Sequence, residues 1–254
     1  MLLPIARREK IKEIMLEKKS ITVVELKKLF NVTDETIRRD LKQLEEEGFL
    51  TRTYGGAYLS QAVRNDVDVN LREYIHVQGK QKIATKGLEY IKDGDSIFLD
   101  ASTTSLALAT MLNEQHLTVV TNSLKIANSL LEKPNIHLVI IGGTLEKTSL
   151  SNLGKIAEQN LSNYFFDTAF ISCRSISMEH GITDSNEQQA SIRKLAAQHA
   201  NKVHLIVDYT KFDKTSFVKI GDFNLIDNII VDDILSEEWH QFLQEKNITF
   251  DECP

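Results

Sequence analysis

The 254-residue chain is 42% hydrophobic and 26% charged, ordinary values that exclude a disordered or fibrous protein. Its net charge of −6 hides an asymmetry: residues 1–57 hold 12 Lys/Arg against 10 Asp/Glu, net +2, and the remainder holds 18 against 26, net −8. Two distant cysteines, Cys173 and Cys253, exclude a disulfide scaffold or thiolate zinc site, and the lack of an export-length or 18-residue apolar stretch makes the cytoplasm the expected location, with no membrane partner.

Ile5 to Lys19 reads as a first helix, with Ile11, Ile14 and Met15 as its apolar stripe. Ser20-Ile21-Thr22 breaks it. Thr22-Val23-Val24-Glu25 fits a capping box, so a short second helix starts at Val23. Thr33 can cap a third helix, whose first turn takes Asp34 and Glu35 and whose inward face is Ile37, Leu41 and Leu44. Gly48 ends it as a C′ glycine. Phe49 to Tyr54 alternates like a strand, and Gly55-Gly56 turns it. Three helices, a four-residue connection before the third and a small hairpin match a winged helix-turn-helix over residues 1–57.

Residues 58–78 read as a connector, because Asn65, Asp66, Asp68 and Asn70 interrupt any apolar period. From 79 to 254 short branched-apolar strands alternate with helices. Strands are expected at 96–99, 117–120, 136–141, 168–171, 203–207 and 229–231, and helices at 83–91, 103–112, 124–131 and 187–200. That alternation predicts a mostly parallel sheet covered on both faces, an α/β/α domain.

The third helix carries the first functional signal. With Ile37, Leu41 and Leu44 inward, Thr36, Arg38 and Arg39 are presented in its first turns, where a recognition helix meets base edges. Arginine grips guanine bidentately or clamps phosphate, and the residues do not divide these tasks between Arg38 and Arg39. Thr33 at the cap, Arg52 and Tyr54 on the wing, and Arg7 and Arg8 on the first helix complete the candidate DNA contacts. The residues alone also fit a helical protein-interaction module.

The second signal is a set of polar strand ends. Asp100 to Thr104 follows one strand and opens a helix; the hydroxyls of Ser102, Thr103 and Thr104 and the helix-start amides make an anion site, and Asp100 can orient a ligand hydroxyl. Other strands end at Thr121-Asn122, at Gly142-Gly143, and at Asp208 followed by Lys211. Open α/β sheets bind ligands outside the carboxyl ends of their strands, so these residues point to a small, polar, phosphorylated ligand. Asp100, Asp184, Glu187 and Asp208 are carboxylates that a phosphosugar isomerase could use as a base, with Glu187 the best placed, but no acid–base constellation singles one out. No catalytic residue, metal ligand or cofactor is assigned.

The chain also resembles the DeoR-type transcription regulators. Thr36-Ile37-Arg38-Arg39-Asp40-Leu41, Leu44-Glu45, Gly48, Leu50, Arg52 and Gly55-Gly56-Ala57 follow that family's N-terminal signature, with Tyr54 where histidine is usual. Asp100 to Thr104, Thr121-Asn122-Ser123, Gly142-Gly143, and Asp208, Thr210, Lys211 and Phe212 follow its C-terminal motifs. Ser102 replaces a glycine, and Ser172 to Ser175 departs from the usual stretch. The resemblance implies a repressor of a carbohydrate operon, a non-enzyme, with an effector domain like ribose-5-phosphate isomerase in fold. Its partners would be a double-stranded operator and a phosphorylated sugar. A homo-oligomer, dimer or tetramer, is expected because one winged domain reads too few bases to specify a promoter.

Overall fold

The computed structural model describes residues 3–18, 20–59, 72, 73, 75–113 and 115–254, with the backbone alone at Glu9, Glu13, Leu16 and Glu17. The chain divides into two compact units, Met1–Val77 and Gln78–Pro254. Most of the expected connector lies outside the described residues.

In the first unit, α1 (Pro4–Lys18), α2 (Val23–Phe30) and α3 (Asp34–Glu46) enclose a core of Ile11, Met15, Leu26, Ile37, Leu41 and Leu44. The capping box at Thr22 is formed: its side chain accepts from Glu25 N at 3.2 Å, and its own N–H donates to the Glu25 carboxylate at 2.8 Å. Gly48, at φ +73°, ends α3. Its N–H donates to Glu45 O at 2.9 Å and Phe49 N–H donates to Leu44 O at 3.0 Å, the paired bonds of a Schellman motif.

The wing differs from the sequence reading. Ser20–Thr22 is not merely a helix break but a strand, β1, and with β2 (Leu50–Arg52) and β3 (Gly56–Leu59) it forms an antiparallel sheet in the order β1-β3-β2. Tyr58 and Leu59 thus belong to the wing, beyond the expected boundary at residue 57. A three-residue strand is too short to show a period of two. What holds it is tertiary: Ile21 is buried, and a Cβ at Gly56 would collide with the Ile21 carbonyl. Only glycine lets β3 pass that closely.

The second unit is built on seven parallel strands in the order β15-β14-β12-β9-β4-β5-β6. They are β4 (Ser96–Leu99), β5 (Leu117–Thr121), β6 (Ile136–Ile140), β9 (Phe166–Ile171), β12 (Ala200–Val207), β14 (Asn228–Val231) and β15 (Thr249–Glu252). Side chains alternate between two cores. Ile97, Leu99, Phe170, Ile206 and Ile230 pack with α4 (Val77–Leu88), α5 (Thr103–Met111) and α6 (Leu124–Leu130). Phe98, Ala169, Ile171, Leu205 and Val231 pack on the other face with α7 (Lys155–Leu161), α8 (Glu187–Gln198) and α9 (Glu237–Glu245). The layers are α/β/α. Sequence periodicity missed the hairpin β7 (Thr144–Glu146) and β8 (Ser151–Leu153), the elements α7, α9 and β15, and a small antiparallel sheet of β10 (Ser175–Ser177), β11 (Gly181–Asp184) and β13 (Val218–Gly221).

Strand order reverses between β4 and β9, which places a crevice outside their carboxyl ends. The opposite, amino-end side holds a titrating group with no part in the candidate site. His204 on β12 stacks on Phe170, with ring centroids 5.1 Å apart, and meets the tilted Tyr90 ring at 4.2 Å, and burial pushes its pKa down to about 4. A histidine depressed in the folded state contributes stability above its unfolded value near ~6.5, and that contribution is lost as pH falls toward 4. The shift corresponds to about 3 kcal/mol. Urea unfolding of wild type, followed through Trp239, should weaken by roughly that amount between pH 7 and 4, whereas His204→Phe should lack this part of the slope. Identical pH slopes in the two proteins would refute the assignment.

Candidate DNA-binding face and effector site

Helix α3 presents two arginines and hides its own anchors. Arg38 and Arg39 are exposed, and among the described residues neither forms a hydrogen bond or an ion pair. Thr33 caps the helix, its Oγ1 accepting from Thr36 N at 3.3 Å and lying 3.0 Å from Thr36 Oγ1. Between the arginines and the core stands Asp40, 1% exposed.

Asp40 corrects one expectation. Arg7 does not face outward: it is 3% exposed, and it grips Asp40 with Nε at 2.6 Å and Nη2 at 3.2 Å. A buried arginine in a bidentate carboxylate pair positions α1 on α3 and is not available to a phosphate. Arg8 stays partly exposed, with Nη1 3.9 Å from the same carboxylate.

Arg52 is tied to α3 as well. Its Nε donates to Glu45 at 2.6 Å and its backbone N–H at 2.8 Å, and these bonds hold the Glu45 carboxyl below its ordinary value. The wing is thereby fastened to α3, and the guanidinium stays partly exposed to solvent. Tyr54 at the wing tip is 99% exposed, so its ring packs on nothing. Tyr54→Phe should leave the unfolding midpoint unchanged. It should weaken operator and nonspecific DNA alike by about 1 kcal/mol, the worth of one hydroxyl–phosphate bond, and filter binding to both DNAs reads it directly.

At the strand ends of the second unit the expected residues do gather, but they divide into two sets. Asp100, after β4, is saturated. It accepts from Ser102 N at 3.1 Å, Ser105 Oγ at 2.5 Å, Ser172 N at 3.0 Å and Arg193 Nε at 2.6 Å. Burial pushes its carboxyl up, yet Arg193 and these bonds outweigh that and hold it below its ordinary value. It therefore braces the crevice between β4 and β9 and does not orient a ligand hydroxyl. Thr121 is likewise spent, its Oγ1 donating to Leu99 O at 2.7 Å and accepting from Ser123 N at 3.1 Å. Gly143 is filled by the protein itself, since a Cβ there would strike Leu153 O and Ala157. Gly142 donates to Asn160 Oδ1 at 3.1 Å.

The other set, also at the strand ends, is less fully engaged. Ser102 caps α5, its Oγ accepting from Ser105 N and donating to Ser105 Oγ, both at 3.0 Å, whereas the side-chain hydroxyls of Thr103 and Thr104, residues less than a tenth exposed, bond to no described residue. Asn122 is fully buried with its Oδ1 unpartnered. Asp208 holds the Thr210 N–H and hydroxyl and lies 3.6 Å from Lys211 Nζ.

Sequence reading overlooked Arg193. It lies on α8, 5% exposed, with Nε on Asp100 and Nη1 on Asp184. Burial opposes its charge, and Asp184 and Asp100 restore it. The signal was present: Ala190, Arg193 and Ala197 share the inward stripe of α8, and a charged residue on such a stripe must be paired. Cys173 lies beside this cluster, its thiol pushed up by burial. Of the candidate bases, Asp100 and Asp184 are engaged by Arg193, and Glu187 is exposed at the start of α8. Among the described residues no group of three or more His, Cys, Asp or Glu is placed to hold a metal, and no helix is long and apolar enough to cross a membrane.

Comparison with known proteins covers both units. A family model described as the DeoR-like helix-turn-helix domain matches residues 7–63, and one described as the DeoR C terminal sensor domain matches residues 75–233. The regulator YulB of Bacillus subtilis, an uncharacterized HTH-type transcriptional regulator, is 38% identical over 98% of this chain and 96% of its own. A putative aga operon transcriptional repressor of Escherichia coli O157:H7 is 34% identical over 89% of this chain and 86% of its own. Among solved structures, ribose 5-phosphate isomerase A of Methanocaldococcus jannaschii aligns with a TM-score of 0.41 at 18% identity, over 54% of this chain and 55% of that one.

Proposed function

This chain belongs to the DeoR family of helix-turn-helix transcription regulators, and from that premise we propose that it represses a carbohydrate-utilisation operon under the control of a phosphorylated sugar. The observation that carries the reading is the pairing of two free arginines on α3 with a sensor unit whose strand ends keep unspent polar groups. Arg38, Arg39 and Thr36 meet the major groove; Thr33, Arg8, Arg52 and Tyr54 hold the backbone. In the sensor unit, Ser102, Thr103, Thr104 and the first amides of α5 take the phosphate, Lys211 adds positive charge, and Asn122 and Asp208 meet the sugar. The similarity to a named operon repressor supports repression as the mode. The protein acts in the cytoplasm as a homo-oligomer, because two linked recognition helices specify a promoter where one does not.

Coupling requires the sugar phosphate to prefer the arrangement with low operator affinity, since equal affinity for both arrangements shifts nothing. A gel shift with the DNA upstream of the chain's own gene, repeated with a panel of sugar phosphates, tests the whole reading. Specific retardation that one sugar phosphate reverses is the expected result. Retardation equal to that of scrambled DNA, or reversal by none of the panel, would overturn it.

A further inference from the structure

Asn122 Oδ1 is a buried side-chain atom with no hydrogen-bond partner among the described residues, and it lies at the carboxyl end of a sheet strand, directly after β5. Native proteins rarely leave a buried acceptor unpaired, and where they do a functional reason is expected. The chemistry of the missing partner can be read from how the amide is held. Its Nδ2 lies 3.2 Å from the carbonyl oxygen of Asn152, a group that can only accept. Turning the amide over would set two acceptors against each other, so the orphan atom is the oxygen. Nor does Asn152 offer it a free donor. Asn152 N–H donates to Asn122 O at 2.8 Å, and Asn152 Nδ2 is itself fixed on Ile141 O at 2.9 Å.

Several neighbouring acceptors at the strand ends are already engaged. Both Asp100 oxygens accept from protein donors, and Thr121 Oγ1 both donates and accepts. Asp208 Oδ1 takes the N–H and hydroxyl of Thr210, and Oδ2 faces Lys211. Asn122 Oδ1 is the fully buried acceptor here that no described donor fills, and the unbonded hydroxyls of Thr103 and Thr104 share this end of the sheet.

We propose that Asn122 Oδ1 is the specificity-determining acceptor of the effector site: it receives a hydrogen bond from one hydroxyl of the ligand, and the carboxylates of Asp100 and Asp184 do not read the ligand. A phosphate dianion offers only acceptors, so the group at Asn122 is a hydroxyl of the sugar portion and the phosphate lies elsewhere. The inference rests on the strand ends being the sugar-phosphate site.

The test is calorimetric titration of the full-length protein with ribose 5-phosphate, fructose 6-phosphate, glucose 6-phosphate and galactose 6-phosphate. Monodeoxy and deoxyfluoro analogues of each binder follow. At one position both analogues should bind on the order of tenfold more weakly, because each leaves the buried acceptor unpaired. Asn122→Ala should weaken the parent compound by a similar factor and lose discrimination at that position alone. If a folded Asn122→Ala protein, checked by circular dichroism, keeps the discrimination, the proposal is wrong. Should the variant not fold, the wild-type series still decides: a deoxyfluoro compound keeps size but lacks the donor, and full affinity for it at every position overturns the proposal. An amino-sugar phosphate binding best, with its ammonium at the discriminating position, overturns the hydroxyl assignment. If wild type binds none of the four parent compounds at millimolar concentration, the sugar-phosphate reading itself falls and this inference falls with it.

Discussion

Arg193→Leu should destabilise the second unit by about 3–5 kcal/mol at pH 7, the usual cost of removing one partner from a buried ionic group. Among the described residues the guanidinium is the cation paired with both the Asp100 and Asp184 carboxylates, and all three side chains are less than a tenth exposed. With leucine in place, two carboxylates are left facing each other with little access to water. Burial already pushes the Asp100 carboxyl up, and with Arg193 gone its charge no longer offsets that push, so the sign of the pH dependence reverses. In wild type the Asp100 carboxyl is held below its ordinary value, and its contribution is present above pH ~4 and lost as pH falls through the folded pKa. In Arg193→Leu burial pushes the Asp100 carboxyl up with no cation to offset it, so stability should rise as pH is lowered from 7 to 5. Urea midpoints from Trp239 fluorescence at the two pH values measure this. Adding Asp100→Asn and Asp184→Asn to Arg193→Leu should restore part of the loss, since a neutral site avoids the unpaired charge. A single variant with wild-type stability and wild-type pH slope would show that the triad contributes nothing.

The triad also marks where sequence reasoning stopped. The strand ends were legible because each feature is local: a strand, a polar residue, a helix start. The residues Asp100, Thr121 and Asn122 all came from that logic, yet one is a brace, one a link in the backbone network, and one an unpaired acceptor. Nothing in the local pattern separates these roles, because the separation is made by Arg193, Ser172 and Asn152, residues 93, 72 and 30 positions away. The same limit explains Arg7. Two arginines at the front of an exposed-looking helix suit phosphate equally well until Asp40, 33 residues on, captures one of them. Short elements failed for a related reason. β1 and β7 have three residues each, too few for a period, and they exist because a neighbour pairs with them. By contrast, α2 and α3 were readable to within a residue because their limits are set by caps within the segment, Thr22, Thr33 and Gly48.

Loss of operator recognition in Arg38→Ala and Arg39→Ala is the second large effect expected. Both side chains can be removed without touching the core, since Ile37, Asp40, Leu41 and Leu44 supply every buried position of α3. The variants should therefore keep the wild-type unfolding midpoint while operator affinity falls. A lost bidentate base contact costs about 1–3 kcal/mol and narrows the ratio between operator and scrambled DNA. A lost phosphate contact weakens both DNAs together and lowers the slope of log K against log salt by about 0.9. Measuring both DNAs at several salt concentrations thus assigns each arginine its task. The Asp40 anchor makes a further distinction available. Arg7 holds Asp40, and Asp40 lies one and two residues beyond the two arginines, so Arg7→Ala should disturb the presentation of Arg38 and Arg39 and also lower the unfolding midpoint. A direct DNA contact by Arg7 would instead lower affinity and salt slope with stability intact. If Arg38→Ala and Arg39→Ala both bind operator as wild type does, α3 is not the recognition helix. The free guanidinium groups on its exposed face would then have to serve a partner other than DNA.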